Sequence, residues 1–112
     1  MMINMKPEIK EALKTLGCPV TTEYPESMPT LPSITFYEAT NQDANASDDE
    51  AAEAYIEFYI QVWGNGTEQI EPLSQGVDEL MKGMGFWRTF GTDDLSGEVK
   101  RKIMRYTISK EA

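Results

Sequence analysis

Residues 53–63, EAYIEFYIQVW, alternate without a break. Ala54, Ile56, Phe58, Ile60 and Val62 fall on one side, and Glu53, Tyr55, Glu57, Tyr59, Gln61 and Trp63 on the other. Successive side chains of an extended chain point to opposite faces of a sheet. A sustained period of two, rich in β-branched and aromatic residues, therefore specifies a strand with one buried face. The first face is aliphatic and suits a core. The second mixes rings with carboxylates and an amide, which is more than contact with water requires. That second face is the first candidate for function.

Upstream, SITFYEAT (33–40) alternates again, with Ile34 and Phe36 on one side and Thr35 and Tyr37 on the other. It is the expected antiparallel neighbour of the first strand. Between the two lies NQDANASDDEAA (41–52), polar, acidic and without a large apolar group. With nothing to bury, it is expected to be a flexible hairpin loop, either a solvated tip or a segment that orders against a partner. Three prolines in 25–32 exclude a helix or a central strand there and make an extended connector. Residues 20–24 suit a short edge strand.

Two helices flank these strands. In 6–16, Pro7 fits the first turn, Glu8 and Glu11 precede Lys14, and Ile9, Leu13 and Leu16 form one stripe. Gly17 and Pro19 stop it. In 68–84, the apolar residues Ile70, Leu73, Val77, Leu80, Met81 and Met84 repeat with helical spacing, and Gly85 is the expected stop. Pro72 sits awkwardly in that helix, and Gly76 suits close packing on the sheet. FWRTF (86–90) is a further strand, GTDDLSG (91–97) a turn-rich connection, and 99–109 the last strand. On the last strand Met104, Tyr106 and Ile108 oppose Arg101, Ile103 and Arg105. The order α-β-β-β-α-β-β reads as one α+β domain over 1–112. It is a two-layer fold with a mixed or antiparallel sheet of four to five strands and two helices on one face.

Composition narrows the function. The formal net charge of -9 opposes generic nucleic-acid binding. In KRKIMR (100–105) the charges alternate sides of a strand, so they make no single basic face. There is no histidine, which removes the commonest general base and the commonest transition-metal ligand. Cys18 is the single cysteine, so no intrachain disulfide forms. With no signal-like apolar segment, a reducing cytoplasm is the expected compartment. No run is long and apolar enough for a membrane span. No phosphate-binding, zinc-binding or nucleophile-elbow motif occurs. The acids Asp48, Asp49 and Glu50 lack the spacing of a calcium loop. No catalytic residue, cofactor or metal is expected.

What remains is a contact surface. Tyr and Trp supply large area and keep a polar tip, so they favour protein interfaces. Tyr55, Glu57, Tyr59 and Trp63 on the uncovered sheet face are one candidate patch. Arg101, Lys102 and Arg105 are a complementary basic one, since no Lys or Arg lies between Lys14 and Lys82 and half the bases lie in 100–110. Asp48, Asp49 and Glu50, in the loop, are placed to reach a neighbour. The charge asymmetry also reads simply as two solvated surfaces.

The arrangement resembles the small tail-terminator (tail-completion, head-tail joining) proteins of long-tailed bacteriophages and prophages. The likeness runs through VTTEYPESMPTLPSITFYE with its Leu31-Pro32, the acidic loop, YIEFYIQVWGNG, the helix ending in LMKGMGF, and the basic closing strand VKRKIMRYTIS. It implies a non-enzymatic structural subunit that assembles with copies of itself into a ring, typically a hexamer. The ring terminates the tail tube and contacts the tail-tube protein and a head-completion or neck protein. Assembly would take place in the host cytoplasm, and the final place would be the tail or neck of the virion. The alternative from the residues is a small dimeric ligand-binding or regulatory α+β module.

Overall fold

The alternation at 53–63 forms the central strand of the sheet. The computed structural model describes residues 2–22, 30–47 and 50–111, with the backbone alone for 44–47, 50–52 and 111. Its elements are α1 (Lys6–Lys14), β1 (Val20–Thr21), β2 (Ser33–Ser47), β3 (Glu50–Gly64), α2 (Thr67–Gly83), β4 (Trp87–Asp94) and β5 (Lys100–Glu111). The strands order as β1-β2-β3-β5-β4. β1 pairs parallel to β2, and every other pair is antiparallel. This is an α+β fold with a five-stranded mixed sheet.

Both helices cover one face. Ile9 and Leu13 of α1 and Ile70, Val77 and Met81 of α2 join a single core with Ile34, Phe36, Ile56, Phe58, Ile60, Val62, Met104 and Tyr106. The core rings meet edge-on or tilted, Phe58 lying 6.2 Å from Phe86 and 6.1 Å from Phe36. Such pairs add about 1 kcal/mol each to plain burial. Helix α2 ends in a paired reverse bond, with Phe86 N–H on the Met81 carbonyl and Gly85 N–H on Lys82. Gly85 takes φ 98°, the left-handed region that this motif needs. Buried Phe86 then caps the helix end against the core.

Three expectations require correction. The stretch 41–52, expected to be a loop, is in strand form over its described part, 41–47 and 50–52. Backbone pairing needs no apolar side chain, and the β2–β3 register simply continues past a bulge between Glu38 and Thr40. Likewise β4 runs on through Gly91 to Asp94, where a turn was expected. The reason is electrostatic: Asp93 registers with Lys102 and Asp94 with Arg101, and opposite charges across strands stabilise the pairing. Finally, a Cβ on Gly76 would meet Leu16, in the turn just past α1, at 2.8 Å, so its close approach is to the end of the other helix and not to the sheet. Pro72 lies inside α2, on its exposed side. It forgoes only a bond to Glu68, whose position in the first turn is open to water.

Strands of fifteen residues at about 3.3 Å per residue reach about 50 Å. The molecule measures 52 Å along its long axis and 25 × 23 Å across. The segment preceding α1 braces this length, since Asn41 donates its side-chain N–H to the Ile3 carbonyl at 2.8 Å and Met5 is buried.

Candidate functional site

The sheet face opposite the helices is built from the alternate residues of four strands. β3 contributes Tyr55, Glu57, Tyr59, Gln61 and Trp63, and β5 contributes Arg101, Ile103, Arg105 and Thr107. β2 adds Thr35 and Tyr37, and β4 adds Trp87, Phe90, Thr92 and Asp94, a bulge at Thr89 having shifted the phase. The sequence-derived face is therefore correct in its sidedness. Six rings lie on it: Tyr37, Tyr55, Tyr59, Trp63, Trp87 and Phe90.

Its polar groups are locked to one another. Arg101 lies 5.0 Å above the Trp63 ring. Its guanidinium donates to Asp94 Oδ2 at 3.1 Å and to Gln61 Oε1 at 3.2 Å. Trp63 Nε1–H donates to Thr35 Oγ1 at 2.8 Å, tying β3 to β2. Tyr59 stacks on Tyr37 with centroids 5.3 Å apart. Arg105 donates to Thr89 Oγ1 at 2.8 Å and lies 5.8 Å from the Phe90 ring. Tyr55 donates its hydroxyl to Glu57 at 2.8 Å, a bond to a carboxylate that pushes the phenol above its ordinary range. Bonds from the Ser96 hydroxyl and backbone, then from Arg101, hold Asp94 below the usual carboxylate range. Side chains held this way lose little further entropy on contact with a partner, which favours binding.

The charge on this face is also distinctive. Arg101 and Arg105 stand against Glu57 and Asp94, so the central charges balance in a chain of net charge -9. Both cations are arginine. The lysines lie elsewhere, Lys6, Lys10 and Lys14 on α1, Lys82 on α2, and Lys100, Lys102 and Lys110 on the helix side of β5. Enrichment in Tyr, Trp and Arg with depletion of Lys is the composition of an interface core.

The structure places the sequence candidates as follows. Tyr55, Glu57, Tyr59, Trp63, Arg101 and Arg105 share one face, with Trp63 registered on Arg101 and Tyr59 on Arg105. The aromatic and basic sets are thus one surface, not two complementary ones. Lys102 is on the opposite face, bonded to Glu71 at 2.6 Å and Asp93 at 3.3 Å, and the Glu71 bond leads the rise of its ammonium above the ordinary value. Asp48 and Asp49 lie outside the described residues. Glu50 begins β3 and registers with Ser47. Sequence reasoning missed Tyr37, Trp87, Phe90 and Asp94 as members of the site. Tyr37 had the signal, since its alternation with Ile34 and Phe36 already put it off the core.

A cleft of about 400 Å³ opens on the helix side between α2, β4 and β5, lined by Glu71, Asp78, Arg88 and Lys102 among others. Four of its charges are paired, Glu71 with Lys102 at 2.6 Å and Asp78 with Arg88. Asp78 meets Lys82 at 2.8 Å and Arg88 at 3.5 Å, and accepts from Tyr106 at 2.8 Å. Burial pushes the Asp78 carboxyl up, but the bonds from Lys82 and Tyr106 and the two cationic charges outweigh it and hold it low. Burial, then the bond to Asp78 and its charge, pushes the Tyr106 phenol far above its ordinary range. Their bond ties α2 to β5. Among the described residues, no three His, Cys, Asp or Glu side chains gather as a metal site.

No family model matches the sequence, and no curated protein matches it. The fold is similar to that of a chain in the solved structure "Virion of native gene transfer agent (GTA) particle", with a TM-score of 0.67 and 18% identity. The match covers 89% of this chain and 84% of that one.

Proposed function

We propose that this chain is a structural, non-enzymatic subunit of a phage-like virion. It forms a ring, six-fold as in the resembled family, that terminates the tail tube and joins tail to head. The observation that carries the reading is the helix-free sheet face, pre-ordered, free of lysine and set with six rings, on a fold that a virion chain shares. Tyr55, Glu57, Tyr59, Trp63, Arg101 and Arg105 are the contact surface for the tail-tube protein or the neck protein. The acids Asp48, Asp49 and Glu50 add contacts to the same assembly. Lys102 serves the fold, bonding α2 and β4 to the sheet. Assembly takes place in the host cytoplasm, and the ring resides in the tail or neck.

The test is light scattering and electron microscopy of the full chain over a range of protein and salt concentrations, alone and with tail tubes from the same genome. Rings, or rings formed on tube ends, are expected. Arg105→Glu reverses a charge whose described bond is to Thr89, so the monomer should stay folded and tube binding should be lost. A strictly dimeric chain that ignores tail tubes would overturn the reading.

A further inference from the structure

The most exposed rings do not lie at the middle of the bare face. Tyr37 is 43% exposed, Phe90 44% and Trp87 48%. They lie on β2 and β4, toward opposite edges of the sheet, whereas Tyr55, Tyr59 and Trp63 on the central strand are half-buried. Rings on edge strands gain cover from whatever extends the sheet.

Among the described residues, both edges are open to extension. β4 is outermost, and among the described residues no strand pairs with its outer side. At the other edge, β1 pairs with β2 only at Ile34 and Thr35. Beyond Thr35 the outer side of β2 has no strand against it among the described residues. An open edge presents unpaired N–H and C=O groups, and proteins that must avoid pairing blunt it with lysine or proline. Neither FYEATNQD (36–43) nor WRTFGTDD (87–94) contains either residue. Each carries one bulge and charged residues on the helix side, features that discourage indiscriminate pairing and favour a partner whose edge matches them.

Direction and charge also match. Three successive antiparallel pairings make β4 run opposite to β2. On the β2 edge, Glu38 has one carboxylate oxygen, Oε1, buried without a hydrogen-bond partner, while Lys6 stands 3.6 Å from the other. On the β4 edge, Arg88 has its side chain 44% exposed and reaches Asp78 with one nitrogen. Glu38 registers with Phe58 and Arg88 with Tyr106, so both sit on the helix side of the sheet.

We propose that copies of this chain join edge to edge. β4 of one copy pairs antiparallel with β2 of the next, with Arg88 opposite Glu38, and the sheet continues from subunit to subunit. In this register Phe90 comes beside Tyr37, and Trp87 beside Thr40, on the bare side. The two edges differ, so the contact is heterologous. It repeats, and it closes into a ring when the rotation per copy permits. The inference rests on the reading of the chain as a ring-former. It adds a division of labour, with the edges binding the neighbouring copy and the bare face left for a different protein.

The test is oxidative cross-linking of the full chain in a Cys18→Ser background. Thr40→Cys and Trp87→Cys are introduced singly and together, and the products are read on a non-reducing gel. The single variants are expected to stay monomeric, and the double variant to give a ladder of covalent multimers. Dimers from Trp87→Cys alone would mean that β4 pairs with itself and would overturn the proposal. A double variant that assembles by light scattering yet does not cross-link would overturn it too, while leaving the ring reading in place. A wild-type chain that stays monomeric at every concentration, both alone and with tail tubes, overturns both. If the cysteines disturb folding, hydrogen exchange of the wild type decides. Amides at 37–41 and 87–91 should slow at least about tenfold on assembly, and unchanged exchange there refutes edge pairing.

Discussion

Removing the hydroxyl of Tyr106 tests how the helix layer is fastened to the sheet. Tyr106 is fully buried on β5, and its O–H donates to Asp78 on α2 at 2.8 Å. A hydrogen bond to a charged group contributes about 1.5–3 kcal/mol. Asp78 keeps Lys82 and Arg88 in the variant, and its side chain is 19% exposed, so Tyr106→Phe should cost about 1–2 kcal/mol. The ring itself still fills its place. For a domain of this size that lowers Tm by roughly 4–10 °C. The sign of the pH dependence follows from the shifts. Asp78 is held below its ordinary value, so its contribution is present above the unfolded carboxylate pKa of about 3.9 and is lost as pH falls through the folded one. The Tyr106 phenol is raised, so its contribution is present below about pH 10 and is lost as pH rises further, because the unfolded chain ionises first. The gap between wild type and Tyr106→Phe should therefore be widest at neutral pH and narrow at both extremes. Urea titrations followed by tryptophan fluorescence at several pH values measure it. Equal stability at pH 7, or a gap that ignores pH, would refute the reasoning.

Arg101→Ala should cost about 1–2 kcal/mol in the same assay, because it strips a donor from nearly buried Gln61, a partner from Asp94 and a cation from Trp63. A loss within the range of a solvent-exposed pair, under about 0.5 kcal/mol, would show that the network contributes little. Cys18 packs partly against the core, and burial pushes its thiol up. At pH 8 it should react with a disulfide reagent roughly tenfold more slowly than a free thiol, and at the free rate once the chain is unfolded in urea. Fast native reaction would mean that this corner opens readily.

The core was legible because burial writes itself into period. Ile56, Phe58, Ile60 and Val62 alternate with polar and aromatic residues, and all four are fully buried. Both helices could be read to within a few residues for the same reason, from stripes ending at Gly17 and Gly85. Pairing leaves no such mark. Residues 41–47 hold no large apolar group that composition could reveal, yet they register with β3. Asp93 and Asp94 looked like turn formers until register set them beside Lys102 and Arg101. The bulge at Thr89 hid Phe90 and Asp94. It shifts the phase of β4 by one residue, and no spacing rule carried across it places Phe90 on the same face as Trp87.

The sheet's length has a mechanical consequence. β3 and β5 run together without a break from Glu53–Glu111 to Gly64–Lys100, and β2 flanks β3 over nearly its full span. Cross-strand bonds in an antiparallel pair lie perpendicular to the strands. A pull along the long axis therefore loads all of them in shear at the same moment, and none gives way until many do. A pull sideways on β4 loads them one by one and peels the strand off. The same chain is stiff in one direction and yielding in the other. A subunit aligned with its strands along the axis of a filament would transmit tension without unravelling, and would release a neighbour most easily at its edge.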